Sequence, residues 1–257
     1  MNESEPVMSI EAEFDSVCRR ILLADRKTSG VGGLGERRLH KILKCFIEPD
    51  ETRHEIKVGG FVADILRGDE IIEIQTRDFS PLRRKLPVYL QNYRVTVVYP
   101  IALNKRIHWI DPESGEITGG RRSPKTGGIG EFLLEVYKLR PILPLEGLCF
   151  ELYWLDVDEF RMLTGRSRDR KHYGAFRRER IPTRLDRIER VTSPDDYLEY
   201  IKDLGDSFTC AEFAKSLSMY PGAANRALQT LVTLGVVERI GKRGNAFIYE
   251  RKSNRGE

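Results

Sequence analysis

The sequence predicts a protein of the α+β or α/β class, in which a mixed β-sheet is flanked by helices and followed by a small second domain. Three observations favour this class. Apolar residues recur at helical spacing early in the chain, short strands joined by two-residue loops follow, and after Pro194 closely spaced helices lead to a final hairpin. The 257 residues are enough for one large domain or two small ones.

The elements of the first domain follow in order. An amphipathic helix over about residues 9–24 precedes a second helix that starts near Gly35. Three strands come next, joined by tight turns at Gly59-Gly60 and Gly68-Asp69. Pro87 should kink or split the helix that follows. The remaining elements are strands at 94–103 and 105–111, a helix at 130–139 and a strand at 149–157.

The composition excludes several classes of protein. With 40% hydrophobic and 32% charged residues, the chain should be soluble and globular. No apolar run reaches the length of a membrane span, and the acidic N-terminus lacks the features of a secretory signal. We therefore expect a cytoplasmic protein with no membrane partner.

The cysteines and histidines are too scattered for a disulfide framework, a zinc ribbon or a His/Cys metal site. The four cysteines are Cys18, Cys45, Cys149 and Cys210. Any metal would therefore have to bind carboxylates. Gly30, Gly32 and Gly35 match the letters of a dinucleotide-binding loop, but no strand precedes them and no βαβ unit follows. We expect no nucleotide cofactor.

The net charge of +4 conceals a basic segment, from Arg161 to Arg190, with eleven Lys and Arg against four Asp and Glu. Arginine side chains pair well with phosphate oxygens, and Tyr173 and Phe176 lie among them, so the segment suits a polyanion. A solvated, Arg-rich linker helix is the alternative. We predict a basic linker over residues 159–192.

Two carboxylates are expected to face each other across the second and third strands. The tight turn between these strands places Arg67 opposite Glu70, and therefore Asp64 opposite Glu73, with Gln75 on the same face. Like charges repel in such a pair unless a cation lies between them. Hard cations such as Mg²⁺ prefer oxygen ligands, so the pair is a candidate metal site.

These residues resemble the core of the PD-(D/E)XK nuclease superfamily, which has a restriction-endonuclease-like fold of helix, three-strand meander, helix and strand. The acid of the family's second strand matches Asp64, the acid of its third strand matches Glu73, and the glutamate of its first helix matches Glu36. The family usually has a lysine two residues after the second acid. Gln75 stands there, as in some restriction-type members, and Ala63 replaces the proline.

The resemblance implies a metal-dependent DNA endonuclease. Mg²⁺ or Mn²⁺ would be held by Asp64, Glu73 and Glu36, would activate water for in-line attack on a phosphodiester and would stabilise charge on the phosphate. Gln75 would orient the water or the phosphate. Four cations downstream are candidate phosphate contacts, with a solvated helix surface as the alternative. They are Arg77, Arg83, Arg84 and Lys85.

Lys57 is the predicted catalytic source of the positive charge that Gln75 lacks. The turn at Gly59-Gly60 places Lys57 opposite Val62, in the same cross-strand row as Gln75. Its side chain would then span much of the roughly 10 Å between the two positions. The alternatives are that Lys57 points to solvent and that Lys85 supplies the charge.

The segment after Pro194 resembles a winged helix-turn-helix domain in its order of helices and hairpin. Thr209 and Glu212 form a capping box at the start of one helix, and Pro221 begins the next. A hairpin with a basic tip follows. A winged helix that contacts proteins is the alternative to one that binds DNA.

The helix beginning at Pro221 is predicted to read DNA. Ala223 and Thr230 are expected on its outward face, and Val232 on its apolar face. Small residues followed by Asn, Arg and Gln suit entry into a major groove. The predicted DNA contacts on the helix and the hairpin tip are Asn225, Arg226, Gln229, Lys242 and Arg243.

We therefore predict four parts and one activity. The parts are an N-terminal helix (1–30), a nuclease-like domain (31–158), a basic linker (159–192) and a winged helix domain (193–252). The predicted activity is Mg²⁺-dependent cleavage of DNA, targeted by the winged helix domain, with DNA as partner and a homodimer left open. The rival is a DNA-binding regulator or assembly factor with an inactive nuclease-like core, because Gln75 replaces a lysine.

Overall fold

The computed structural model describes residues 9–28, 37–163 and 174–252. The helices found there are α1 (Ile10–Thr28), α2 (Arg37–Ile47), α3 (Leu82–Tyr89), α4 (Ile129–Leu139), α5 (Cys210–Ser216) and α6 (Pro221–Thr233). Short 3-10 helices occupy Glu51–Arg53, Arg140–Ile142 and Pro194–Ile201. The strands are β1 (His54–Val58), β2 (Phe61–Arg67), β3 (Glu70–Ile74), β4 (Arg94–Ile110), β5 (Ile117–Arg122), β6 (Leu148–Leu163), β7 (Ala175–Val191), β8 (Ser207–Thr209), β9 (Val237–Arg243) and β10 (Ala246–Arg251).

Seven strands form one mixed sheet. Its order is β1-β2-β3-β4-β6-β7, with β5 paired to β4. Strands β2 and β3 run antiparallel, whereas β3 and β4 run parallel. A second sheet has the order β8-β10-β9. The predicted class, a mixed sheet flanked by helices, is confirmed at this level.

The described residues divide into two compact units. The first unit lies within Met1–His54, Ala102–Gly127 and Tyr153–Ile188. The second unit lies within Glu55–Ile101, Gly128–Leu152 and Glu189–Glu257. In the described part of the chain, no helix is long and apolar enough to cross a membrane.

In the first unit, α1 and α2 pack their apolar faces together. Phe14 and Ile42 are buried, and the ring of Phe14 meets that of Phe46 edge-on, with centroids 5.1 Å apart. Phe46 in turn meets Tyr153 of β6 at 6.3 Å. The helical spacing that predicted both helices therefore reflects a real core, and α1 extends beyond its predicted end to Thr28.

In the second unit, aromatic side chains from the sheet and α4 form the core. Phe79 stacks on Phe150 with centroids 6.0 Å apart, and Phe132 meets Phe150 edge-on at 5.2 Å. Leu82 and Leu86 of α3 are fully buried. Burial of these two residues, one turn apart, fixes which face of α3 points inward.

Two predicted elements differ in extent. Pro87 was predicted to kink or split the helix, but α3 continues past it to Tyr89. The proline falls in the last turn, where few further hydrogen bonds are needed. Strand β4 is one element where two strands were predicted. The break was expected at Asn104, but its side-chain amide donates to Asp156 at 2.6 Å and the strand continues through it.

The segment predicted as a linker contains a long strand. β7 belongs to the seven-stranded sheet, so residues 175–191 are not a linker. Charged side chains of β7 form buried or half-buried ion pairs: Arg180 donates to Glu159 at 3.0 Å, and Glu179 accepts from Arg38 of α2 at 2.9 Å. The aliphatic part of an arginine side chain packs well in a sheet, so a strongly basic segment can still form a strand. The basic composition alone had indicated a linker. Tyr173 lies outside the described residues.

The C-terminal segment of the second unit has the predicted order of elements, with a 3-10 helix in place of the first α-helix. Thr209 caps α5: its hydroxyl accepts from the Glu212 N–H at 3.3 Å, and Glu212 accepts from the Thr209 N–H at 2.6 Å. The predicted capping box is therefore confirmed. Pro221 begins α6, as predicted.

Candidate functional site

The predicted pairing of the second and third strands is confirmed. Arg67 lies opposite Glu70, and Ile65 lies opposite Ile72. Continuing this antiparallel register by one residue brings Asp64 opposite Glu73 on the same face. The Asp64 carboxylate also accepts a hydrogen bond from the Ile74 N–H at 2.8 Å, which holds it against the end of β3.

Glu73 is a fully buried acid, with a relative exposure of 0%. Burial is the main reason that its pKa rises from 4.5 to about 7, and the negative charge of Asp64 adds to the rise. Both neighbours on β3, Ile72 and Ile74, are buried as well. A carboxylate in such a strand requires a compensating cation or donor.

Lys85 of α3 supplies that cation. Its ammonium donates to the two carboxylate oxygens of Glu73 at 3.0 and 2.9 Å and to the Val62 carbonyl at 2.8 Å. Three acceptors satisfy all three donors of the ammonium. The sequence predicted Lys85 as a phosphate contact or as the alternative to Lys57; the structure assigns its charge to Glu73.

Tyr89 lies one turn beyond Lys85 on α3 and was missed from the sequence. It is fully buried, and its hydroxyl lies beside the Glu73 carboxylate. Burial raises the pKa of Tyr89, and the charge of Glu73 raises it further. The spacing of Lys85 and Tyr89, four residues apart and hence on one face of the helix, was the available signal.

The other predicted residues of this region are dispersed. Gln75 is half-buried just after β3, and its backbone N–H donates to the Val98 carbonyl at 2.9 Å. Lys57 is exposed on β1. Arg83 is exposed and donates to the Lys138 carbonyl, and exposed Arg84 lies 6.0 Å from the ring centroid of Phe61. Arg77 is also exposed. Glu36 lies outside the described residues.

Helix α6 is turned relative to its prediction because it packs on α4 within the second unit. Thr230 is fully buried, and its hydroxyl lies 3.4 Å from the Leu133 carbonyl of α4. Ala223 is buried, whereas Val232 is exposed. The predicted placements of Ala223, Thr230 and Val232 are therefore wrong, because the sequence did not indicate that α6 packs on α4.

The predicted DNA contacts on α6 are only partly exposed. Asn225 and Arg226 are exposed near the start of the helix, and Arg226 donates to the Tyr220 hydroxyl at 3.1 Å. Gln229 is half-buried and accepts a hydrogen bond from Arg140. The exposed polar side chains predicted to contact DNA on α6 therefore lie in its N-terminal half.

The tip of the β9–β10 hairpin carries exposed cations, as predicted. The Lys242 ammonium lies 4.9 Å from the ring centroid of Phe247, which stands opposite it on β10. The Arg239 guanidinium lies 4.3 Å from the same ring. Arg243 lies 3.7 Å from Glu212, an exposed pair that contributes little to stability.

The donors around Glu73 fit a hard cation in their chemistry. Asp64 and Glu73 offer carboxylate oxygens on one face, and the buried Tyr89 hydroxyl lies beside Glu73. Among the residues that the structure describes, no three His, Cys, Asp or Glu side chains come together as a metal site. Glu36, the third predicted ligand, is not among those residues.

Comparison with known proteins gives a family and a relative, both without an assigned activity. A family model described as "Domain of unknown function (DUF8091)" matches residues 37–192, which include Asp64, Glu73 and Lys85. A protein of Treponema pallidum (strain Nichols), named "Uncharacterized protein", is 26% identical over 223 residues, covering 83% of this chain and 84% of that protein. No solved structure matches.

Proposed function

The chain belongs to the DUF8091 family, and we propose that it is a metal-dependent endonuclease that hydrolyses phosphodiester bonds of DNA. The observation that carries the proposal is the pair of carboxylates, Asp64 and Glu73, facing each other across β2 and β3. The order α2, β1–β3, α3, β4 supports a restriction-endonuclease-like core of the PD-(D/E)XK type. Like charges placed together in a largely apolar strand pair need a functional reason.

In this proposal Asp64 and Glu73, with Glu36, hold Mg²⁺ or Mn²⁺. A bound divalent cation supplies Lewis-acid activation of water and stabilises charge at the scissile phosphate. Lys85 takes the role that the sequence proposed for Lys57, because its ammonium already lies at Glu73. Lys85 holds the Glu73 carboxylate in place and contributes the positive charge that Gln75 lacks.

The C-terminal segment supports targeting to DNA. α5, α6 and the β9–β10 hairpin have the order of a winged helix-turn-helix domain. The exposed start of α6, with Asn225 and Arg226, is the part of a recognition helix that contacts base edges in such domains. Lys242 and Arg243 at the hairpin tip suit contact with the phosphate backbone.

The test is cleavage of supercoiled plasmid in Mg²⁺ or Mn²⁺ by the full chain. Asp64→Asn and Glu73→Gln should each lower the rate at least a hundredfold while DNA binding stays within about twofold, since metal chemistry contributes several kcal/mol. Asp69→Asn, an exposed acid in the same hairpin, is the matched control and should cleave normally. Equal rates for Glu73→Gln and wild type would refute the proposal.

One observation favours the rival, a DNA-binding regulator or assembly factor with an inactive core. Both oxygens of Glu73 already bind an internal cation, and the side chain is fully buried. A core that had lost its metal would retain such an ion pair as a structural replacement. DNA binding without cleavage in either Mg²⁺ or Mn²⁺ would identify the rival.

A further inference from the structure

A cleft of about 410 Å³ opens in the first unit, between residues of β4, β5, β6 and β7. Three cations, one amide and two acids contribute to its lining, and the proposed nuclease function uses none of them. They are Asn104, Lys105, Arg106, Arg122, Asp156 and Asp158.

Two arginines of this cleft face each other without a carboxylate between them. Arg106 of β4 is directly opposite Arg122 of β5 in the antiparallel register. Arg122 donates to the neutral side-chain oxygen of Asn104 at 3.1 Å. The exposed guanidinium of Arg106 has no hydrogen bond or ion pair with any residue that the structure describes. Like charges that lie directly opposite each other on paired strands repel. A bound anion would offset this repulsion.

The acids of the cleft are engaged elsewhere. Asp156 accepts from the Asn104 amide at 2.6 Å, and the Asp158 carboxylate lies 3.2 Å from His108 Nε2. Asn104 thus binds Arg122 through its oxygen and Asp156 through its nitrogen, and keeps the two charges apart. Among the described residues, neither acid forms a hydrogen bond or ion pair with Arg106 or Arg122.

We propose that this cleft binds a phosphate group between Arg106 and Arg122. A phosphate offers enough oxygens for both guanidinium groups, whose planar donors match it in pairs. Binding would remove the repulsion between the two strands. The phosphate belongs either to a small ligand or to a nucleic-acid strand. The inference does not depend on the nuclease proposal.

The test measures binding by the full chain in EDTA, so that no metal contributes. The probes are inorganic phosphate, followed by calorimetry, and a fluorescent single-stranded oligonucleotide, followed by anisotropy. Arg106→Ala and Arg122→Ala should each weaken the probe that binds about tenfold. For the oligonucleotide, the slope of log K against log salt should also fall by about one.

Arg121→Ala is the matched control, because adjacent residues of a strand face opposite sides. It should change binding less than about twofold. Arg106→Glu provides a second readout: it should abolish phosphate binding and raise the midpoint of thermal unfolding, since it creates an attractive pair with Arg122.

The two probes identify the source of the phosphate. A loss seen with inorganic phosphate indicates a small ligand, and a loss confined to the oligonucleotide indicates a nucleic-acid strand. The proposal is overturned if wild type binds neither probe, if Arg106→Ala binds both as wild type does, or if Arg121→Ala loses as much. Because Arg106 is exposed, Arg106→Ala should fold, and this variant decides the test even if Arg122→Ala does not fold.

Discussion

Glu73 is an acid whose burial is only partly offset by its partner. The Lys85 ammonium lowers its pKa, but burial and Asp64 raise it more, and the net result is a pKa of about 7. A carboxyl group in this position exchanges its proton near neutral pH. The ion pair with Lys85 is therefore strongest in mildly alkaline solution, where Glu73 is charged.

The raised pKa of Glu73 predicts a pH dependence of stability. Between its ordinary pKa of 4.5 and its folded value of about 7, the folded state holds a proton that the unfolded state has released. The contribution of this group to stability is thus present below 4.5 and lost as the pH rises to 7. We expect Glu73→Gln to gain about 3 kcal/mol relative to wild type between pH 4 and pH 8, measured by urea unfolding. A constant difference across this range would contradict it.

Removing the lysine should have the opposite pH profile. In Lys85→Met, a charged Glu73 would be buried without a partner, which costs about 3 kcal/mol at pH 9. At pH 5 the carboxyl group is protonated in the folded state, so the same variant should lose less than about 1 kcal/mol. Lys57→Met, an exposed lysine on β1, is the control and should change stability by no more than about 0.5 kcal/mol at either pH.

For individual residues, the sequence correctly predicted those positions that are fixed by local backbone geometry. The tight turn before Glu70 fixed the strand register and hence the pairing of Asp64 with Glu73. The sequence offered both Lys57 and Lys85 as sources of positive charge, and it could not show the contact of Lys85 with Glu73, because that contact forms only after α3 has docked. Docking depends on the burial of Leu82 and Leu86, a tertiary contact that strand spacing does not encode.

Helix α6 shows how packing restricts a predicted recognition surface. One side of the helix is buried in its own unit, and Thr230 contacts α4 directly. The exposed polar residues Asn225 and Arg226 lie in the first half of the helix. A recognition helix that enters a major groove uses this end, so the packing leaves the needed surface open.

The exposed half of α6 gives a third prediction. Arg226→Ala should weaken binding of duplex DNA about tenfold through loss of a charged contact, without lowering the midpoint of thermal unfolding. Val232→Ala, an exposed change on the same helix, is the matched control and should bind as wild type does. Equal affinities for Arg226→Ala and wild type would favour a winged helix that contacts proteins.

Local signals also explain which elements the sequence predicted. The capping box at Thr209 and Glu212 and the proline at position 221 define helix starts through contacts within one turn, and both were correct. Strand β7 was not predicted from the sequence, because its many arginines are typical of a solvated segment. Its arginines pair with acids such as Glu159, which lies earlier in the chain on β6, and such a pairing cannot be recognised from sequence alone.

At the scale of the whole molecule, the C-terminal segment shares a compact unit with the carboxylate pair. The domain boundary predicted at residue 193 would separate α6 from α4. We expect a fragment of residues 193–252 to unfold at a lower temperature than the full chain, because Thr230 and its neighbours lose their cover. The midpoints of thermal unfolding of the fragment and of the full chain can be compared by circular dichroism. An equal midpoint would restore the fragment as an independent domain.

The contact between α6 and α4 has a consequence for where the proposed enzyme would cut. A reader on a flexible tether samples many positions along DNA, and its nuclease leaves ends scattered around the bound sequence. Here the proposed reading helix and the carboxylates belong to one packed unit, so the proposed enzyme would cut at a fixed distance from its bound sequence. Sequencing of cleaved ends should show one constant offset, in base pairs, from the bound site.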